Sequence, residues 1–166
     1  MKTLYLLRHA KSSPYSPTGG DHDRPLNDRG RRDAPRMGRV LRKVDGSPEH
    51  VLCSTSARTR ETADLFLERC KYKGEVDYLD EIYEAEPEAL HRAVARQGDA
   101  DRLLMIGHNP GTELFLCRVI GGPEAILRVP TCALTRIDFD IDEWADIDRV
   151  NGMLVWHLIP AVINEL

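Results

Sequence analysis

The chain alternates short apolar runs with segments in which apolar residues recur every three or four positions. The runs are typical of buried strands, and the recurring pattern is typical of amphipathic helices. Because strands alternate with helices, we predict one α/β domain over residues 1–166, a three-layer sandwich with a mostly parallel sheet. The predicted strands are 3–7, 50–53, 75–79, 103–106, 132–139 and 153–159. The predicted helices are 28–45, 56–70, 87–96 and one that opens at Pro110 and ends at Gly121-Gly122-Pro123.

Three segments depart from this regular pattern. Residues 11–26 carry Ser, Pro, Gly and Asp without periodicity, which predicts a long loop of the kind that is often functional. Pro35 interrupts the 28–45 pattern, so that helix either bends there or begins near Asp33. The acidic stretch 138–148 is expected to link the last two strands as a wide hairpin with a helical turn.

Composition and charge narrow the classes of function. The net charge of −4 argues against a general nucleic-acid binder, although it leaves room for a local cationic pocket. The cysteines Cys53, Cys70, Cys117 and Cys132 lack zinc-ligand spacing, and Cys53 and Cys117 lie in apolar runs typical of buried free thiols. No run is long enough for a signal peptide or a membrane span, so we expect a cytoplasmic protein with no membrane partner. The sequence is silent on oligomeric state.

Chemistry-bearing residues gather where three predicted strands end. The first strand ends in Arg8-His9, the second runs into 54–58, and the 103–106 strand runs into 107–111. Ligands of open α/β sheets bind outside the carboxyl ends of the strands, so these turns are expected to meet. Arg58 and His108 would also lie at helix N-termini, where the helix dipole repels cations unless an anion joins them. Each residue alone has an ordinary structural explanation, but together they indicate an anion site and favour phosphate.

Four motifs in this order resemble those of the histidine phosphatase superfamily. LYLLRHAKSS resembles its RHG-type signature, with Ala10 where glycine is commoner, and CSTSARTRETA resembles its second motif. GHNPG resembles the motif around the second catalytic histidine, and Arg24-Pro25-Leu26 followed by Gly30 fits the segment before the first helix. The short chain is most similar to the SixA-like phosphohistidine phosphatases. That resemblance implies a phosphoglycerate-mutase-like fold without large helical insertions.

The resemblance also implies residue roles. His9 would be the catalytic nucleophile, and Arg8, Arg58 and His108 would complete the catalytic set by binding the phosphoryl oxygens. Ser12, in the loop after His9, is a further candidate donor to phosphate. Histidine has an ordinary pKa of about 6.5, so most of His9 would be neutral at pH 7, and nearby arginines would push it further that way. Neither a metal nor a cofactor is implied, because fixed cations take the place of a metal.

The sequence leaves the leaving-group acid and the substrate open. Asp80, Glu81, Glu84 and Glu86 crowd the region where larger relatives carry a glutamate, and Glu81 is our first choice. The surrounding family pattern is missing, so a solvated acidic loop explains each of them equally well. The expected substrate is phosphohistidine in a protein. The alternatives are a small phosphorylated metabolite, or phosphate binding without turnover.

Overall fold

A computed structural model describes residues 1–122 and 127–163 of the chain. Six strands form a single sheet in the order β3-β2-β4-β1-β5-β6. Strands β3, β2, β4 and β1 run parallel, whereas β5 and β6 are antiparallel to their neighbours. The strands are β1 Lys2–Arg8, β2 His50–Ser54, β3 Val76–Leu79, β4 Arg102–Gly107, β5 Leu134–Phe139 and β6 Met153–Leu158. The helices are α1 Asp28–Val44, α2 Ala57–Cys70, α3 Pro87–Ala95, α4 Gly111–Val119 and α5 Pro160–Ile163.

Hydrophobic cores cover both faces of the sheet. Alternate residues of β1 point to opposite sides, so Leu4 and Leu6 enter one core and Tyr5 and Leu7 enter the other. The first core packs against α3 and α4, and the second packs against α1 and α2. The predicted three-layer α/β sandwich with a mostly parallel sheet is therefore confirmed.

The structure shows where helix α1 and strand β5 begin. Helix α1 begins at Asp28 and contains Pro35, so the prediction of a later start near Asp33 is wrong; Asn27 fixes the start by accepting a hydrogen bond from the Gly30 N–H. Strand β5 begins at Leu134 rather than at residue 132, because Cys132 has a left-handed backbone with φ of 62°.

The two acidic or irregular linkers also contain short helical segments. The expected helical turn between β5 and β6 is present as a 3-10 helix over Trp144–Arg149. The 11–26 loop carries a second 3-10 helix over Asp21–Asp23. The fourth predicted helix was expected to end at Gly121-Gly122-Pro123. Helix α4 ends at Val119, and Pro123 lies outside the described residues.

Sheet topology brings the chemistry-bearing turns to one edge. Strands β1 and β2 both pair in parallel with β4, so the carboxyl ends of all three strands lie side by side. Residues that follow these strands, including His9 and His108, therefore meet at that edge. Helices α2 and α4 begin immediately after it, which directs their N-terminal N–H groups toward the same region.

Two further expectations concern the thiols and the membrane. Cys53, Cys70, Cys117 and Cys132 are all buried and free, as expected for Cys53 and Cys117. Within residues 1–122 and 127–163, no helix has both the length and the apolar character needed to cross a bilayer.

The close crossing of α1 and α2 gives a test of the fold. A Cβ atom at Gly38 would lie 2.2 Å from the Phe66 carbonyl oxygen, so Gly38→Ala forces the helices apart. We expect the free energy of unfolding to fall by about 1–3 kcal/mol despite the better helix propensity of alanine. Urea denaturation measures this change. Gly98→Ala is the control, because no atom of the residues that the structure describes lies within 4 Å of a Cβ atom there; equal stability of the two variants would contradict the close contact.

Candidate active site

His9 is held by its backbone and by one ring nitrogen. Its N–H donates to the Gly107 carbonyl at 3.0 Å, and its carbonyl accepts from the Cys132 N–H at 3.1 Å. The ring Nδ1 lies 2.8 Å from the Ala10 carbonyl oxygen. Because a carbonyl oxygen can only accept, Nδ1 carries the hydrogen, and the lone pair of the neutral ring is on Nε2. His9 is 8% exposed, so the structure fixes both the position and the tautomer of this imidazole.

The turn after His9 is tied to helix α2. The Ala10 N–H donates to Thr62 Oγ1 at 3.0 Å, and the Thr62 hydroxyl donates to the Arg58 carbonyl at 2.6 Å. Thr62 therefore connects the backbone beside His9 with the first turn of the helix that carries Arg58. This link sets the spacing between two of the predicted site residues.

His108 lies next to His9. The two ring centroids are 5.1 Å apart, and His108 is 4% exposed. Its Nε2 lies 2.7 Å from the buried Ser54 Oγ, whereas its Nδ1 is buried and makes no hydrogen bond with residues 1–122 and 127–163. If the Ser54 hydroxyl donates to Nε2, Nδ1 carries a hydrogen that can be donated to an anion. The Tyr83 ring meets His108 edge-on, with centroids 5.4 Å apart.

The two predicted arginines flank the imidazoles. Arg8 directly precedes His9, and one terminal nitrogen of its guanidinium donates to the Val129 carbonyl at 2.9 Å. Arg58 is 5% exposed and lies with its guanidinium carbon 5.8 Å from the Tyr83 ring centroid. Arg58 is buried and Arg8 is half-buried, so the charge of Arg58 in particular acts on neighbouring groups with little screening by solvent.

Burial and positive charge keep both imidazoles neutral. Burial is the main cause that lowers the pKa of His9 to about 4, and the charges of Arg58, Arg8 and Arg24 add to it. Burial likewise lowers the pKa of His108 to about 3, with further contributions from His9, Arg58 and Arg8. The charges of Arg8 and Arg58 therefore lower the pKa of both histidines.

Ser12 is attached to this group indirectly. Its hydroxyl oxygen accepts a hydrogen bond from Arg24 at 2.9 Å, and Arg24 also donates to the Ser13 carbonyl at 2.7 Å. The charge of Arg24 contributes to the low pKa of His9. Ser12 therefore positions a third cation, and its predicted contact with phosphate stays a prediction.

The sequence did not reveal two residues that bind Arg58. Asp21 accepts hydrogen bonds from Arg58 and from the Tyr83 hydroxyl, which is 62 positions away in the sequence. Tyr83 carries no sequence signal that separates it from a core aromatic residue. Asp21 lies in an aperiodic loop and also accepts a hydrogen bond from Arg24 at 2.9 Å.

Two of the four acidic residues considered for the leaving group, Asp80 and Glu81, have other partners. Glu81 is exposed and forms an ion pair with Arg96. Asp80 accepts a hydrogen bond from the Thr55 hydroxyl at 2.7 Å. Across the described ranges, no three His, Cys, Asp or Glu residues cluster in a way that could hold a metal ion.

Comparison with known proteins defines the family. The model of the histidine phosphatase superfamily (branch 1) matches residues 4–91. An uncharacterised protein of Mycobacterium tuberculosis is 32% identical over 163 residues, which cover 93% of this chain and 99% of the relative. The chain belongs to the histidine phosphatase superfamily.

Solved structures refine the likeness within that superfamily. A protein assigned as the phosphohistidine phosphatase SixA in Agrobacterium tumefaciens is 28% identical, with a TM-score of 0.82 over 96% of this chain and 98% of that one. Its counterpart from Nakamurella multipartitia is 26% identical, with a TM-score of 0.83 over 96% of each chain. The mitochondrial serine/threonine-protein phosphatase Pgam5 of Drosophila virilis is 28% identical over 76% of this chain and 54% of its own length. The resemblance to the SixA-like branch is therefore confirmed.

The low pKa values predict how stability depends on pH. Because both histidines have a lower pKa in the folded than in the unfolded protein, the unfolded state binds more protons between pH 4 and 6.5. Stability should therefore fall as pH decreases through this window, by up to about 1.4 kcal/mol per pH unit for each histidine. In urea denaturation from pH 7 to 4, His108→Asn should show a shallower loss than the wild type. His50→Asn is the control, because His50 lies at the start of β2, whereas Ser54, the partner of His108, lies at its end. If the free energy of unfolding of His108→Asn fell with pH as steeply as that of the wild type, the low pKa assigned to His108 would be contradicted.

Proposed function

We propose that this chain is a phosphatase that transfers a phosphoryl group from its substrate to His9 Nε2 and then hydrolyses the phosphohistidine. One observation carries the proposal: Nδ1 of His9 donates to the Ala10 carbonyl, which leaves the Nε2 lone pair free beside a second histidine. The pKa of about 4 leaves His9 unprotonated at pH 7, as a nucleophile requires. Membership of the histidine phosphatase superfamily supports the same chemistry.

The reaction proceeds in two balanced steps. First, Nε2 attacks phosphorus in line, an N–P bond forms, and the bond from phosphorus to the leaving group breaks as that group takes a proton from solvent. Second, water attacks the same phosphorus, and the N–P bond breaks with its electron pair returning to Nε2. Phosphate leaves with the oxygen and one hydrogen of the water, and the other hydrogen returns to solvent as a proton. The Nδ1–Ala10 hydrogen bond persists in both steps and keeps the ring aligned.

Arg8, Arg58 and His108 would stabilise the charge on the phosphoryl oxygens. Phosphoryl transfer needs positioning and charge stabilisation more than covalent help from the protein, and fixed cations supply both. By analogy with arginine fingers, removal of one guanidinium would cost about 10³-fold in rate. The phosphoryl anion also raises the pKa of both histidines, so His108 becomes a stronger donor when substrate is bound.

The proposed substrate is phosphohistidine in a protein. Two likenesses support a protein substrate, since the two SixA structures are assigned as phosphohistidine phosphatases and Pgam5 is named a serine/threonine-protein phosphatase. The state of the acidic residues supports phosphohistidine, because Glu81 is held by Arg96 rather than aimed at the imidazoles. An imidazole leaving group needs less help from an acid than an alkoxide does.

The nucleophile assignment is tested by His9→Ala. We expect hydrolysis to fall below detection, because the substitution removes the Nε2 lone pair that attacks phosphorus, while circular dichroism shows an intact fold. His50→Ala is the matched control and should keep wild-type rates, since His50 lies at the start of β2. Brief incubation with ³²P-labelled substrate should leave an acid-labile label on the wild type. Retained hydrolysis by His9→Ala would refute the assignment.

Substrate class is tested by comparing a phosphohistidine peptide with p-nitrophenyl phosphate and a set of small phosphorylated metabolites. We expect at least a tenfold higher kcat/KM for the peptide, about 1.4 kcal/mol of transition-state preference. The assays contain excess EDTA, because no step above uses a metal ion. Faster turnover of a metabolite would reassign the substrate, and absence of turnover on every compound would identify a phosphate-binding protein.

A further inference from the structure

Asp21 is the direct partner of Arg58. One terminal nitrogen of Arg58 donates to the Asp21 backbone carbonyl at 2.8 Å, and the other donates to Asp21 Oδ2 at 2.9 Å. The same Oδ2 accepts from the Tyr83 hydroxyl at 2.7 Å, and Oδ1 accepts from Arg24 at 2.9 Å. A single loop residue therefore holds both arms of a buried guanidinium and contacts a second cation.

Arg58 needs such a partner. It begins helix α2, where the helix dipole is positive, and it shares the site with Arg8 and Arg24. A buried cation among other cations is costly unless an anion and good hydrogen bonds offset the loss of water. Asp21 provides the anion, and its hydrogen bonds from Tyr83, Arg24 and Arg58 hold the pKa of its carboxyl well below the usual range.

The short helix that carries Asp21 is fastened to the site at a second point. The His22 Nε2 lies 3.0 Å from Thr55 Oγ1, and the Thr55 hydroxyl donates to Asp80 at 2.7 Å. The His22 ring also meets the Tyr83 ring edge-on, with centroids 4.8 Å apart. Tyr83 in turn contacts His108, so Asp21 is held at a defined position relative to the His108 imidazole and the Arg58 guanidinium.

We propose that Asp21 is a positioning residue for Arg58: its two oxygens orient the guanidinium, and its charge balances the site before a phosphoryl group binds. This inference rests on the proposed function, because it assumes that Arg58 binds phosphoryl oxygens. Each terminal nitrogen of Arg58 uses one of its two hydrogens on Asp21, so a second hydrogen remains on each for a phosphoryl oxygen. The carboxylate also repels an incoming phosphoryl dianion, which favours release of the phosphate product.

Two variants of Asp21 separate its charge from its hydrogen bonds. Asp21→Asn removes the charge but keeps an oxygen acceptor, so tungstate should bind at least threefold more tightly in calorimetry. Asp21→Ala has the same charge as Asp21→Asn but lacks the acceptor. Relative to Asp21→Asn, we expect Asp21→Ala to bind tungstate at least threefold more weakly and to lose tenfold or more in kcat/KM. Asp23→Asn is the control, because Asp23 lies in the same 3-10 helix and bonds Thr18 instead.

The same comparison in an Arg58→Ala background shows whether Asp21 acts through Arg58. If it does, the difference in tungstate affinity between the Asn and Ala variants disappears in that background. A difference that persists would mean that Asp21 only shapes the loop, and equal behaviour of the two variants beside an intact Arg58 would also overturn the proposal. Tungstate binding needs no turnover, so these outcomes stay readable even if His9→Ala disproves the proposed phosphatase mechanism.

Discussion

The hydrogen bond from His9 Nδ1 to the Ala10 carbonyl determines what this site can do. It places the hydrogen of the neutral ring on one nitrogen, and therefore the lone pair on the other. The bond joins two adjacent residues, but its geometry depends on the whole sheet. The His9 backbone is held by hydrogen bonds to Gly107 of β4 and to Cys132, which precedes β5. Pairing of β1 between these two strands is thus a condition for the defined position and tautomer of His9.

Electrostatics places a second demand on the fold. The site concentrates arginines and buried histidines at one sheet edge, although the chain as a whole has a net charge of −4. Neutral imidazoles reduce the number of charges that must be buried, and Asp21 balances one of those that remain. The low pKa of His9 and the ion pair at Arg58 therefore have the same effect, since each reduces the repulsion among positive charges at the site.

The pattern of apolar residues was sufficient to predict the architecture. Strands buried on both faces appear as continuous apolar runs, whereas amphipathic helices have an apolar residue every three or four positions. Local backbone geometry was harder: the left-handed residue Cys132 shortened β5, and Pro35 was accommodated inside α1. His9 and His108 could be found from motifs at strand ends. Asp21 and Tyr83 could not, because their importance arises from contacts with Arg58 and with each other across long stretches of sequence.

The base of the 11–26 loop is closed by its own backbone. Ser12 and Leu26 form an antiparallel bridge, the Ser13 N–H donates to the Pro25 carbonyl at 2.8 Å, and the Asn27 N–H donates to the Lys11 carbonyl at 3.0 Å. Between that clamp and the short helix that carries Asp21, residues 14–20 are largely exposed to solvent, with Tyr15 81% exposed. Substitutions at exposed positions such as Tyr15 would thus leave both His9 and the contacts of Asp21 with Arg58 in place, so the surface of this segment can change without altering the candidate site.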